Sequence, residues 1–495
     1  MAAIKIQACV FVLFFAQVAS ATQPGAGCAR KLLDAARVSG LPVVEHFQNS
    51  LLTQAREDLA TLVAIPSVSD DPESKYTQSL LAGAQATARL LEDVGLENIQ
   101  IEPFPGLGAP LVTANWLHAP DRPTILFYAH YDVVDAGEGW KSGAFELTER
   151  GGHFFGRGVT DNKGGVVAFA TALRAFMQSR GTLPVNIKIL IEGGEEIGAD
   201  LTPFLEANRE RFAADTVLIA DAGNFNGGRP ALTGAIKGYL LMDIRFSSSA
   251  SSVHSGIFGG AVPNPVKELM RALVRLEGPQ GLNLKSVPKP LSETIRPVDG
   301  DSDDQFAINA GLLPGVKPME NARFQVARLP VLNYTAIESD LDVTKTSAIP
   351  STASTKIVIR NTPGMELDTV VAELKARFES PIENPYGMKV EITNAQTRSH
   401  PWRPDSNSLT QQIALHSLSE GFGTRAGIQE DGGAIPIVNG LVSYVGNDGL
   451  ILYGLQDPDS AMHGANESLS IKTFHATIRS TIWMLESFGK TQGPL

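Results

Sequence analysis

Seven residues of this chain have side chains and positions that could do metal chemistry: His130, Asp132, Asp161, Glu195, Glu196, Asp221 and His463. His130-Tyr131-Asp132 closes the apolar run at 124–129 (TILFYA). Glu195-Glu196 follow the run at 185–191 (VNIKILI), and Asp221 follows the run at 216–220 (TVLIA). Asp161 lies in GVTDNKGG at 158–165, and His463 in MHGANE at 462–467. Imidazoles mixed with carboxylates suit Zn²⁺ or Mn²⁺. The donors outnumber the needs of one ion, whereas two ions ~3.5–4 Å apart, sharing one bridging carboxylate, would take two further ligands each and leave an acid free as a base. A lone His-x-Asp at a strand end is usually structural. What points to function is that so many acids and histidines fall just after successive strands.

The elements that must position them read clearly. The three apolar runs are short and bounded by polar residues, and helical patterns at 165–176 and 202–212 separate them, as in a mostly parallel sheet with crossover helices. Open sheets of this kind gather ligands at the carboxyl ends of their strands. From about Gly238 the pattern changes to a strand (GYLLMDIRF), a helix at 265–276, an irregular stretch rich in Pro and Asp, a strand at 356–360 and a helix at 365–378. A helix at 406–418, a strand at 440–445 and a long helix at 471–488 then return to the first pattern. The expected fold is α/β: a mostly parallel mixed sheet flanked by helices, with an inserted α+β domain. The expected divisions are 45–235 and 399–490 for the catalytic domain and 236–398 for the insertion.

With 495 residues, 43% hydrophobic and 19% charged, the chain can bury more than one core. Its net charge of −12 argues against a nucleic-acid or anionic-membrane surface and leaves small solutes as partners. Residues 1–21 combine Lys5, an apolar run at 8–18 and Ala19-Ser20-Ala21, the pattern of a signal peptide cleaved near Ala21, so a secreted or periplasmic protein is expected. Cys9 would leave with it, and Cys28 alone cannot form an internal disulfide. No later segment looks membrane-spanning.

Taken in order, these motifs resemble those of metallopeptidase family twenty, the family of carnosinases, cytosolic dipeptidases, aminoacylases, desuccinylases and glutamate carboxypeptidases. The resemblance covers nearly the whole chain after residue 21. It implies a zinc-exopeptidase-like catalytic domain in which His130 and Asp221 hold one Zn²⁺, Glu196 and His463 hold the other, and Asp161 bridges them; Mn²⁺ or Co²⁺ would suit the same donors. It makes Glu195 the general base that takes a proton from a water held between the ions, so that hydroxide attacks the amide carbon. Asp132 would orient His130 through its other ring nitrogen. His254, in SSVHSG at 251–256, would steady the tetrahedral oxyanion. In dimeric relatives the corresponding histidine reaches in from the partner, so the insertion is expected to act as lid and dimerisation domain and the protein to be a homodimer.

The length of the insertion and the segment HSGIFGGAVP at 254–263 are similar to the dipeptidase branch. A dipeptidase is therefore expected, with a carboxypeptidase or N-acyl amino acid hydrolase as the alternative. Arg360 resembles the lid arginine that grips a substrate carboxylate, for which a guanidinium fork is well shaped. Gly432 and Gly433 could offer backbone N–H groups to the same anion. Here the chain departs from its branch: it reads EDGGAIP at 430–436 where the branch tends to show REGGSIP, and an acid at 430 facing the pocket would repel the anion. Two other classes compete. A non-catalytic binding relative should show broken ligands or a replaced Glu195, and a single-metal deacetylase should have a short lid. The chain has neither feature.

Overall fold

The computed structural model describes residues 26–69, 77–104, 109–225, 228–278, 281–288, 302–342, 344 and 347–491. The expected signal peptide lies outside them. The chain forms two compact units, one of residues 1–234, 404–429 and 440–495, the other of residues 235–403 and 430–439.

The first unit is built on a six-stranded sheet of β1 (Glu97–Pro103), β2 (Pro110–Trp116), β3 (Thr124–His130), β4 (Asn186–Glu192), β5 (Thr216–Ile219) and β6 (Leu450–Leu452), in spatial order β1-β2-β4-β3-β5-β6. The four strands β4, β3, β5 and β6 run parallel, and β1 and β2 complete the other edge in antiparallel register. Among the helices of the unit are α1 (Ala26–Ser50), α2 (Lys163–Arg180), α3 (Leu409–Phe422) and α4 (Ile471–Phe488). The central strands are apolar almost throughout because helices cover them; Phe127 of β3 stacks on Phe169 of α2 with ring centroids 3.8 Å apart. The start of α2 is pressed so closely onto its surroundings that side chains would not fit. A Cβ on Gly164 would sit 2.1 Å from the Val159 carbonyl oxygen, and one on Gly165 2.8 Å from that of Ala220.

The second unit has its own sheet, an antiparallel array ordered Val331–Tyr334, Thr352–Arg360, Tyr239–Ser247, Lys389–Ser399. Along Tyr239–Ser247 the residues Met242, Ile244 and Phe246 point inward while Asp243 and Arg245 face out, the period-two pattern of a sheet covered on one face. The helices Pro265–Leu276 and Leu367–Glu379 supply the cover, through Leu269, Leu273, Val370, Leu374 and Phe378.

The three expected core strands and the long terminal helix stand where the apolar pattern put them. The expected strand at 440–445 does not: Pro436–Val445 is a helix, and the strand beside β5 is Leu450–Leu452. A short apolar run fits either element, and here the preceding Pro436, a good first helical residue, marks the helix. The segment Thr202–Phe212 is two short helices rather than one. Residues 430–439 group with the second unit, whereas the sequence reading kept them with the catalytic domain.

Candidate metal centre

His130 ends β3, the residues after β4 carry Glu195 and Glu196 in a short 3-10 turn, and the residues after β5 carry Asp221. Since β4, β3 and β5 are adjacent and parallel, their carboxyl ends bring these side chains together. Asp161 arrives from the loop ahead of α2, and its peptide bond to Asn162 is cis. His463 arrives from the loop ahead of α4, in a left-handed conformation with φ 62°.

The Asp161 carboxylate divides its two oxygens between the two histidines. Oδ1 lies 3.1 Å from His130 Nε2, and Oδ2 lies 3.1 Å from His463 Nε2. On the His130 side, Asp221 Oδ2 is 3.7 Å from the same ring nitrogen; on the His463 side, Glu196 Oε2 is 3.1 Å away. Donor atoms of His130, Asp161 and Glu196 all lie within 4.8 Å of one another.

Asp132 is fully buried behind His130, with Oδ1 3.4 Å from Nδ1. It also accepts from the Glu195 N–H at 3.3 Å, the Glu196 N–H at 3.1 Å and Ser69 Oγ at 2.7 Å. Asp132 thus sets the ring of His130, whose Nδ1 also lies 3.1 Å from the Asp132 carbonyl oxygen, while its carboxylate holds the turn that presents both glutamates. Asp221 Oδ1 is held by Asn162 Nδ2 at 3.0 Å and Gln456 Nε2 at 2.8 Å, which leaves Oδ2 for the site.

The electrostatics fit divalent cations. Burial pushes Glu195 up to about 7, with His130 opposing and Asp161, Glu196 and Asp132 adding to the rise. Burial raises Asp221 well above the usual carboxylate range, and Asp161 beside it raises it further. Glu196 moves up for the same first reason. His463 is carried up to about 10 by its bonds to Asp161 and Glu196. Burial opposes the charge on Asp161, yet His130 and His463 hold its carboxyl well below its usual range. Five acids and two imidazoles at one site, with His130, Asp132 and Asp161 buried and His463 at its exposed edge, gather more negative charge than the imidazoles can balance, and divalent cations would balance it.

One residue without an assigned role in the sequence reading ties these loops together. Glu467 is fully buried; Oε1 accepts from the N–H groups of Thr160 (3.0 Å) and Asp161 (3.2 Å), and Oε2 from Gly158 N–H (3.0 Å) and Arg157 Nη1 (2.8 Å). Arg157 in turn donates through Nη2 to the carbonyls of Asp135 (3.0 Å) and His463 (3.2 Å). The loops bearing Asp161 and His463 and the chain after Asp132 are therefore pinned by one buried ion pair. Glu467 stood inside the motif around His463; Arg157, Gln456 and Ser69 carried no local signal.

The remaining sequence candidates lie in the second unit. His254 is exposed, and its Nδ1 accepts from the Gly256 N–H at 3.1 Å. Arg360 ends its strand with its guanidinium 4.6 Å over the Tyr239 ring. Gly432 packs so closely that a Cβ would meet Val326 Cγ1 at 2.8 Å, and the Gly433 carbonyl accepts from Lys237 N–H. The expected repulsion from Glu430 is corrected by its surroundings: the carboxylate is buried between Arg328 and Arg403, bonding Arg403 Nη1 at 2.7 Å. Glu430→Ala should leave the two guanidiniums facing each other and cost about 3 kcal/mol, below the most buried pairs because Arg403 is partly solvated. Urea unfolding checks this, and a loss under about 0.5 kcal/mol would show the cluster to be an ordinary surface pair.

Residues 126–486 match the family described as Peptidase family M20/M25/M40. The chain belongs to that family. This M20 chain is 30% identical over 388 residues to the cysteinylglycine-S-conjugate dipeptidase of Corynebacterium striatum, covering 75% of this chain and 82% of that one. It is 27% identical to the Beta-Ala-His dipeptidase of Homo sapiens, over 84% of this chain and 86% of that one. In fold it is similar to human carnosine dipeptidase 1, with TM-score 0.69 at 24% identity over 95% and 100% of the two chains. M20 membership makes it a metallopeptidase with a dinuclear metal centre. The expected secreted or periplasmic location does not stand. It rested on residues 1–21, and the relatives that include the Cys-Gly metallodipeptidases of Schizosaccharomyces pombe and Saccharomyces cerevisiae run against it. No helix among the described residues is long and apolar enough to cross a membrane.

Proposed function

We propose that this protein is a dipeptidase whose two ions are zinc, with His130 and Asp221 on one, Glu196 and His463 on the other, and Asp161 between them. The observation that carries the reading is the divided Asp161 carboxylate, each oxygen facing one histidine and each histidine accompanied by one further acid. When bound, the ions would polarise the scissile carbonyl and make water a stronger acid. Glu195 takes the proton of the attacking water and returns it to the leaving amine; among the described residues its carboxylate has no hydrogen bond or ion pair to occupy it. Asp132 holds His130 in one orientation and keeps the Glu195-Glu196 turn in place.

His254 is the oxyanion donor in this proposal, acting from a second copy of the chain. Because its Nδ1 accepts from Gly256, its proton sits on Nε2, the outer edge of the ring. Exposed Ile257, Phe258, Val262, Met270 and Val274 in the same unit support a homodimer. Arg360 and the N–H groups of Gly432 and Gly433 receive the substrate carboxylate, and Glu430, already neutralised by two arginines, does not oppose it.

The test is amino-acid release from dipeptides, tripeptides and N-acyl amino acids by metal-stripped protein refilled with Zn²⁺ or Mn²⁺. Cleavage confined to dipeptides, absent after chelation and restored by metal, is expected. A preference for N-acyl amino acids or longer peptides would replace the dipeptidase assignment.

A further inference from the structure

The first unit holds a second cleft, of about 490 Å³, lined by the first turns of α4, the loop after β6 and the end of α3. Lys472, His475 and Arg479 recur on one face of α4, while Asp457 and Asp459 come from the loop and Phe422 from α3. The volume suits a small molecule.

The charges in this cleft are not paired with each other. Among the described residues, none of Asp457, Asp459, Lys472 and Arg479 forms an ion pair. Arg479 donates through Nε to the Gly421 carbonyl at 2.8 Å, one of five donors, and burial lowers its pKa, so its charge lacks compensation. Asp457 is fixed through Oδ2 by Thr473 Oγ1 at 2.8 Å. Opposite charges held apart around one cavity complement a molecule that carries both signs.

We propose that this cleft is a binding site for a free α-amino acid, whose carboxylate meets Lys472 and Arg479 and whose ammonium meets Asp457 and Asp459, with Phe422 beside the side chain. Amino acids are also what hydrolysis of a dipeptide releases, and that link alone rests on the proposed activity. The site is positioned to report to the metal centre. Gln456, which bonds Asp221 Oδ1, immediately precedes Asp457, and the same loop continues to His463.

Calorimetric titration of metal-loaded protein with L-alanine, L-alaninamide and N-acetyl-L-alanine tests the site, using wild type, Arg479→Gln and Asp459→Asn. Lys472→Gln, on an exposed side chain, guards against misfolding. Alanine is expected to bind in wild type and roughly tenfold or more weakly in each variant, since each loses a charge-assisted contact. The two analogues, each lacking one charge, should bind at least as poorly. Equal alanine affinity in all four proteins, or N-acetyl-L-alanine binding as tightly as alanine, would overturn the proposal. Dipeptide hydrolysis measured on the same samples separates the two readings: an inactive protein with Arg479-dependent binding sinks only the dipeptidase assignment, and an active one without it sinks only this site.

Discussion

Glu195→Gln should lower kcat by roughly 10²–10⁴ while the protein keeps its full complement of metal. The two adjacent glutamates are presented by the same turn but meet different surroundings. Glu196 Oε2 is 3.1 Å from His463 Nε2, as a ligand sharing an ion with that histidine would be. Glu195 is held only through its backbone, its N–H by Asp132 and its carbonyl by the Gly198 N–H, and among the described residues its carboxylate has no hydrogen bond or ion pair. Glutamine has the same shape and cannot accept a proton to become neutral acid, so the substitution removes proton transfer and little else. Metal analysis by plasma mass spectrometry beside steady-state kinetics checks both halves. An unchanged rate would place the base elsewhere, and loss of one ion would make Glu195 a ligand.

Glu467→Ala should be the most damaging single change away from the ligands themselves. It strips the partner from buried Arg157 and the acceptor from three N–H groups that shape the Asp161 loop. Breaking a buried pair on one side costs about 3–5 kcal/mol, because the remaining charge stays buried. Since Asp161 and His463 sit on the loops so released, metal affinity should fall with stability. Glu467→Gln, which keeps the shape and one good acceptor, should recover part of both. Thermal unfolding with and without added Zn²⁺ gives the stability, and equilibrium dialysis gives the metal content. A melting point and stoichiometry equal to wild type would show that the loops hold their form without this clamp.

These two residues show what was legible. Glu195 was readable because a strand pattern of seven residues ends just before it, and strand ends in a parallel sheet converge. Glu467 lies inside a recognisable motif, yet nothing local says that its carboxylate closes the loop at 158–161, some three hundred residues earlier. The helix at Pro436–Val445 was misread as a strand because the six-residue run GLVSYV at 440–445 carries no period of its own. Glu430 looked like a source of repulsion because its neighbours in sequence are acidic and small, while its neighbours in space are Arg328 and Arg403.

By itself the sequence determined which residues could serve as donors, the parallel sheet that gathers them and, through the order of its motifs, the family. Those features rest on short-range periodicity and spacing, which a linear chain displays directly. Only the tertiary structure decided how the oxygens of Asp161 divide between His130 and His463, that Glu467 and Arg157 lock the loops, that Glu430 is neutralised, and that charged side chains without ion pairs among the described residues line a second cleft. Each depends on side chains that folding brings together from distant parts of the chain, and the direction of an oxygen or the pairing of a charge is set by that packing.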